Sequence, residues 1–131
     1  AERARRVAGV ELIPAVSAEE ADRWMARASA TLASLRPGGY DYAYPTKILA
    51  SLAQGTPVIY AGPGQAGRDV REAGLGAACG LDADQVAVAM VAVASGTLNW
   101  VGEERVRAWV REHRSVSASS RAAAAVVRSV L

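Results

Sequence analysis

Phenylalanine is absent from this chain of 131 residues, and lysine, cysteine and histidine occur once each, as Lys47, Cys79 and His113. With no Phe and only 5% aromatic residues, a core has to be assembled from small and branched aliphatics. A single cysteine excludes an internal disulfide and fits a reducing compartment. One histidine excludes most His-based catalysis and any His-rich metal site. His113 has no second ligand at metal spacing and reads as a structural or solvated side chain. No run approaches the ~18 consecutive apolar residues that a membrane span needs, and the opening AERARRVAG has no apolar leader core. The expectation is a soluble, cytoplasmic chain that meets a membrane only peripherally, if at all. An excess of one charge is missing too: 15 basic and 13 acidic side chains leave +2, scattered in both signs. Nothing in that pattern tracks a phosphate backbone, so nucleic acid is not expected as a partner.

What is present is organised around Arg36 to Gly62, RPGGYDYAYPTKILASLAQGTPVIYAG. The stretch reads as a glycine-rich loop, a helix and a strand. Pro45 pre-sets the first helical turn. Ile48, Leu49 and Leu52 form an apolar stripe, Gly55 supplies a left-handed stop, and Pro57 cannot continue the helix. Val58 to Tyr60 make a short apolar strand, and Gly62-Pro63-Gly64 is read as the turn that ends it. The first N–H groups of such a helix lack partners and point, with the positive end of its dipole, at whatever fills the loop. Lys47 can add a full charge there. Its plainer reading is a solvated first-turn residue, although a lone lysine among fourteen arginines fits a role that a compact ammonium fills better than a planar guanidinium.

Along the chain, Val10 to Pro14 (VELIP) reads as a strand. Ser17 and Glu20 make a capping box for a helix with Ala21, Trp24, Met25 and Ala28 on its core side. Thr31 to Leu35 is the next strand, QAGRDVREAG a helix closed by Gly74, and Leu75 to Cys79 a further strand. Asp82 caps a helix running to Ala94 whose apolar positions nearly encircle it, so it is expected to be well buried. Glu103 to His113 is amphipathic, SVSASS punctuates, and Arg121 to Leu131 is a final alanine-rich helix. The residues before Gly9 are read as a helix end. This alternation of strands and helices argues for an α/β domain with a parallel sheet of about four strands, helices on both faces and right-handed crossovers. Ligands bind such sheets at the carboxyl ends of the strands. The chain is read as having no GxGxxG that opens a helix after a strand and no GxxxxGKS or GxxxxGKT, and so neither a dinucleotide fingerprint nor an NTPase phosphate loop. Ser34 and Ser51 have no base nearby in sequence, and Asp41 and Asp69 pair only if the fold brings two loops together.

The run YAYPTKILASLAQGTPVIYAGPGQAGRDVREAGLGAAC resembles the nucleotide-sugar-dependent glycosyltransferases of the two-domain GT-B architecture, of the retaining group 1 type. Pro45, Thr46, Lys47, Ala53, Gly55, Pro57 and Val58 occupy positions of that family's C-terminal pattern, and the flanking segments agree in order over almost the whole chain. The resemblance implies that residues 1–131 are the second half of a Rossmann-like donor domain, with 101–131 as its terminal helices. The acceptor domain and the first two strands of the donor domain are missing against the family. It also implies a donor site in which Gly38, Gly39, Tyr40, Tyr44, Thr46 and Lys47 surround the sugar diphosphate, with Lys47 in the catalytic role, and with neither a cofactor nor a metal. The parent enzyme would transfer a hexose from a nucleoside diphosphate to an acceptor, and the fragment alone would be inactive. Two departures stand out: Tyr42 and Ala50 hold the columns of two family glutamates, and Pro14 stands for a turn glycine. A catalytically degenerate interaction module is therefore the competing reading. The family strand order 3-2-1-4-5-6 would leave the inner edge of Thr31 to Leu35 unpaired. The expectation is that Val10 to Pro14 either pairs directly beside it or, the preferred outcome, exchanges together with the helix that follows it between two copies in a homodimer.

Overall fold

The computed structural model describes residues 7–38 and 42–129. Its centre is β2 (Val58–Ala61), four residues whose side chains alternate between two faces and are buried on both. On one face Val58 and Tyr60 join Ala33, Ile48, Leu52, Val70, Leu75 and Val106 in the core. β1 (Thr31–Ser34) and β3 (Gly76–Cys79) flank β2 in parallel, in the order β1-β2-β3, with Thr31 opposite Val58 and Val58 opposite Gly76.

Three helices build the face that carries the core. The first is α2 (Thr46–Ala53), which contributes Ile48 and Leu52. It ends where Gly55 turns left-handed at φ 85°, and a Cβ there would strike Glu103 and Arg107. Arg107 of α5 (Glu103–His113) then donates to the carbonyl of Gln54 at 2.7 Å, closing the open end of α2. The third is α3 (Gln65–Glu72), which adds Ala66 and Val70. On the opposite face Ile59 and Ala61 are buried as well, and α4 (Ala83–Ala94), capped by Asp82, packs on β2 and β3. α1 (Ala18–Arg27) lies against α2. Its cap is the expected one, with the Ser17 hydroxyl accepting from the Glu20 N–H at 3.2 Å. α6 (Val116–Ser129) contacts α5.

Several expectations are corrected. The sheet has three strands among the described residues, not about four. Val10 to Pro14 is exposed, forms no regular secondary structure and pairs with no strand among the described residues, neither beside β1 nor elsewhere. A strand needs a partner for its backbone, and alternation of side chains alone does not supply one. Trp24 is not core: 51% of it is exposed, and α1 buries no residue fully. α4 buries only Ala89, leaving Val88 at 71% and Val91 at 66% exposure, because one three-stranded sheet covers only one side of a helix. SVSASS does not punctuate; it begins α6, with the Ser115 hydroxyl accepting from Ala118 N–H at 3.1 Å. The helix end read before Gly9 falls mostly on residues outside the described ones, and Val7 and Ala8 are not helical.

Candidate functional site

Because the three strands are parallel, their carboxyl ends, Ser34, Ala61 and Cys79, lie on one edge, and α2, α3 and α4 all begin there. The N-terminus of α4 is satisfied by its own cap, since Asp82 Oδ1 accepts from the N–H groups of Asp84 and Gln85 at 3.1 and 3.0 Å. The other two differ. Pro45 before α2 and Gly64 before α3 offer no side-chain cap, so the leading N–H groups of both helices face the edge without a built-in acceptor.

At the start of α2 a crevice of about 330 Å³ opens between the end of β1 and the following loop, lined among others by Ser34, Leu35, Tyr44, Thr46 and Lys47. Thr46 and Lys47 are exposed in the first turn, and among the described residues Lys47 has no acidic partner. Gly38, at φ 110°, lies in the same loop with open space around it. Gly39, Tyr40 and Asp41 lie outside the described residues. Of the residues expected around a donor, the structure brings Tyr44, Thr46 and Lys47 to one crevice.

Tyr44 does more than line it. Its ring packs against the core and lies under the guanidinium of Arg114, 4.7 Å from the ring centroid. Arg114 is ion-paired with Asp69 of α3, and the buried Tyr44 hydroxyl beside them makes no hydrogen bond among the described residues. Burial, followed by the Asp69 charge, pushes the phenol well above its ordinary 10.0. For Arg114 burial works against the charge, but Asp69 and Tyr44 more than offset it, so the net shift is upward. Asp69 is thus committed to Arg114. Arg114 is a site-shaping residue that sequence reasoning missed, since nothing local ties it to a loop 70 positions earlier.

The reading that no GxGxxG opens a helix after a strand is corrected. Gly62-Pro63-Gly64-Gln65-Ala66-Gly67 has the spacing GxGxxG, follows β2 and opens α3; stopping the turn at Gly64 hid it. Each glycine has a structural reason to lack a side chain, and the third does what that motif requires of it. A Cβ on Gly62 would collide with the backbone of Leu35, so only glycine lets the loops after β1 and β2 approach. Gly64, at φ 94°, leaves the helix entrance bare. A Cβ on Gly67 would lie 3.3 Å from the Tyr60 ring, so its absence sets how closely α3 packs on β2. The carboxylate that holds a ribose in dinucleotide folds stands about 20 residues further on. Asp82 occupies that place, but its Oδ1 already caps α4.

The remaining reactive groups are structural. Ser51 is fully buried and accepts from the Thr31 hydroxyl at 2.8 Å while donating to the carbonyl of Thr56. His113 stacks on Trp109 and has Nδ1 3.0 Å from that residue's carbonyl oxygen. Tyr60 is buried and donates to Pro63 O at 2.7 Å, while Tyr42 is 85% exposed. No group of three or more His, Cys, Asp or Glu able to hold a metal occurs among the described residues, and no helix among them is long and apolar enough to cross a membrane. Compared with known proteins, the chain matches no family model, no curated protein and no solved structure.

Proposed function

We propose that this chain is the donor-binding part of a glycosyltransferase and that it holds the diphosphate of a nucleotide sugar between the entrances of α2 and α3. The observation that carries the reading is the pairing of two helix N-termini without side-chain caps on one sheet edge, one bearing the unpartnered Lys47 and the other opened by Gly62, Gly64 and Gly67. Breaking the bond between a hexose and its nucleoside diphosphate builds negative charge on the leaving oxygen. Fixed N–H groups, joined by one ammonium, are the donors that stabilise such a charge. The crevice volume lies near the lower end of the range for small-molecule sites, as suits a site that takes in a diphosphate and leaves the base and sugar to be held elsewhere. The resemblance around Pro45, Thr46 and Lys47 supports the same assignment, with the acceptor domain of a parent enzyme as the second partner.

The test is titration calorimetry and turnover with a panel of nucleotide sugars on the intact protein, followed by Lys47→Ala. Binding of a nucleoside diphosphate is expected, and the variant should lose roughly 2–4 kcal/mol of transition-state stabilisation. An unchanged kcat/KM would remove Lys47 from the site. Absence of both turnover and nucleotide binding would favour the interaction-module reading, which Tyr42 and Ala50 in the glutamate columns motivate.

A further inference from the structure

The entrances of α2 and α3 belong to separate helices, and one side chain from far along the sequence reaches towards both. Arg114 caps the end of α5, with its N–H on Val110 O. On one side its guanidinium lies 4.7 Å from the centroid of the Tyr44 ring, and Tyr44 directly precedes the Pro45 that opens α2. On the other side it is ion-paired with Asp69 Oδ2. The second oxygen of that carboxylate, Oδ1, accepts at 2.5 Å from the side-chain amide of Gln65, the first residue of α3. Gln65 Oε1 in turn accepts from Arg68 at 2.7 Å. A continuous set of contacts therefore runs from the start of α3, through Asp69 and Arg114, to the residue before α2 opens.

The anchorage of Arg114 suits a brace. α5 is fixed to the core by the fully buried Val106, and Arg107 of the same helix already holds the far end of α2 through Gln54 O at 2.7 Å. A planar guanidinium can stack on a ring while its N–H fork engages a carboxylate, which an ammonium does poorly. Arg114 and Asp69 do not line the crevice that carries Thr46 and Lys47. They line a separate one of about 400 Å³, together with Trp109 and His113. Arg114 thus stands behind the proposed site and not in it.

We propose that Arg114 is a positioning residue that holds the entrances of α2 and α3 at the separation a diphosphate spans, so that one ligand meets both. The inference deepens the donor-site reading given above and rests on it. One entrance is enough for a single phosphate. A diphosphate gains from two only while their spacing is fixed, because the advantage of joined sites is lost when geometry forbids simultaneous engagement.

Calorimetric titration of the 131-residue chain with inorganic phosphate and with inorganic pyrophosphate, the part common to all nucleoside diphosphates, reads this as a ratio of affinities. Pyrophosphate should bind roughly 100-fold more tightly than phosphate, and Arg114→Met and Asp69→Ala should each cut that ratio about tenfold. Partial unfolding of a variant weakens both anions by the same factor and leaves the ratio where it was, so a merely structural role would not move it. The two substitutions change the net charge in opposite directions. A ratio that falls in Arg114→Met and rises in Asp69→Ala reports the field of the charges alone and overturns the inference, as does a ratio that neither substitution changes; in both cases the donor-site reading stands. If the unsubstituted chain binds neither anion, the donor-site reading falls and the inference falls with it.

Discussion

At the scale of single residues, the site depends on where a side chain is missing as much as on where one is present. A glycine inside a helix ordinarily costs about 1 kcal/mol against alanine, so Gly67→Ala ought to stabilise α3. Here the sign is reversed. The added methyl would lie 3.3 Å from Tyr60, and that ring cannot yield because it is fully buried with its hydroxyl held by Pro63. Gly67→Ala is predicted to destabilise by about 1–3 kcal/mol, the usual cost of overpacking; a rise in the urea midpoint would refute the packing argument. Tyr44 gives a second residue-scale prediction. Its phenol is raised above 10.0 in the folded chain by burial and then by Asp69, so the unfolded chain releases this proton first. The stabilising difference is intact below about pH 10 and declines as pH rises beyond it. Unfolding curves collected from neutral to alkaline pH should show a shallower alkaline loss in Tyr44→Phe than in the unsubstituted chain, and equal slopes would mean that the ring ionises as freely folded as unfolded.

At the scale of elements, tertiary ties decide what propensity left open. α1 has the expected cap yet buries no residue, and what anchors it is polar: the Thr56 hydroxyl donates to Met25 O at 2.7 Å. Thr56→Val should cost about 0.5–1.5 kcal/mol, felt chiefly as faster hydrogen exchange in α1, with β2 unaffected. Uniformly faster exchange would show that Thr56 supports the whole fold instead. The loop–helix–strand unit from Pro45 to Ala61 was legible because Pro45, Gly55 and Pro57 punctuate it locally and Ile48 with Leu52 mark its inner face. β3 and the Asp82 cap were legible for similar reasons. Trp24 and the bare faces of α4 were not, because burial depends on what stands opposite, and among the described residues the sheet stops at β1 and β3. Of the crevice, Lys47 followed from the helix start, whereas Tyr44 and Thr46 were placed there only by the resemblance. Arg114 is brought to Tyr44 only by the packing of α5 on α2, and no local pattern encodes that.

For the whole molecule, the consequence of a three-stranded sheet is an uneven distribution of stability. The core lies on one face, between the sheet and α2, α3 and α5, whereas α6 buries only Ala118 and α1 nothing. Elements with few buried apolar contacts open at lower free energy than the global transition. Amides of β2 and α2 should therefore exchange only through global unfolding, and those of α6 through local opening. Leu52→Ala separates the two processes. Leu52 is fully buried in the core, and its truncation should cost about 2–5 kcal/mol. That loss should appear in full in the protection of β2 and α2. Protection of α6, already set by its own opening, should stay the same until the falling global stability reaches it. If α6 lost protection in step with β2, the C-terminal helix would be part of the cooperative unit, and its contacts with α5 would be worth far more than the burial of one alanine implies.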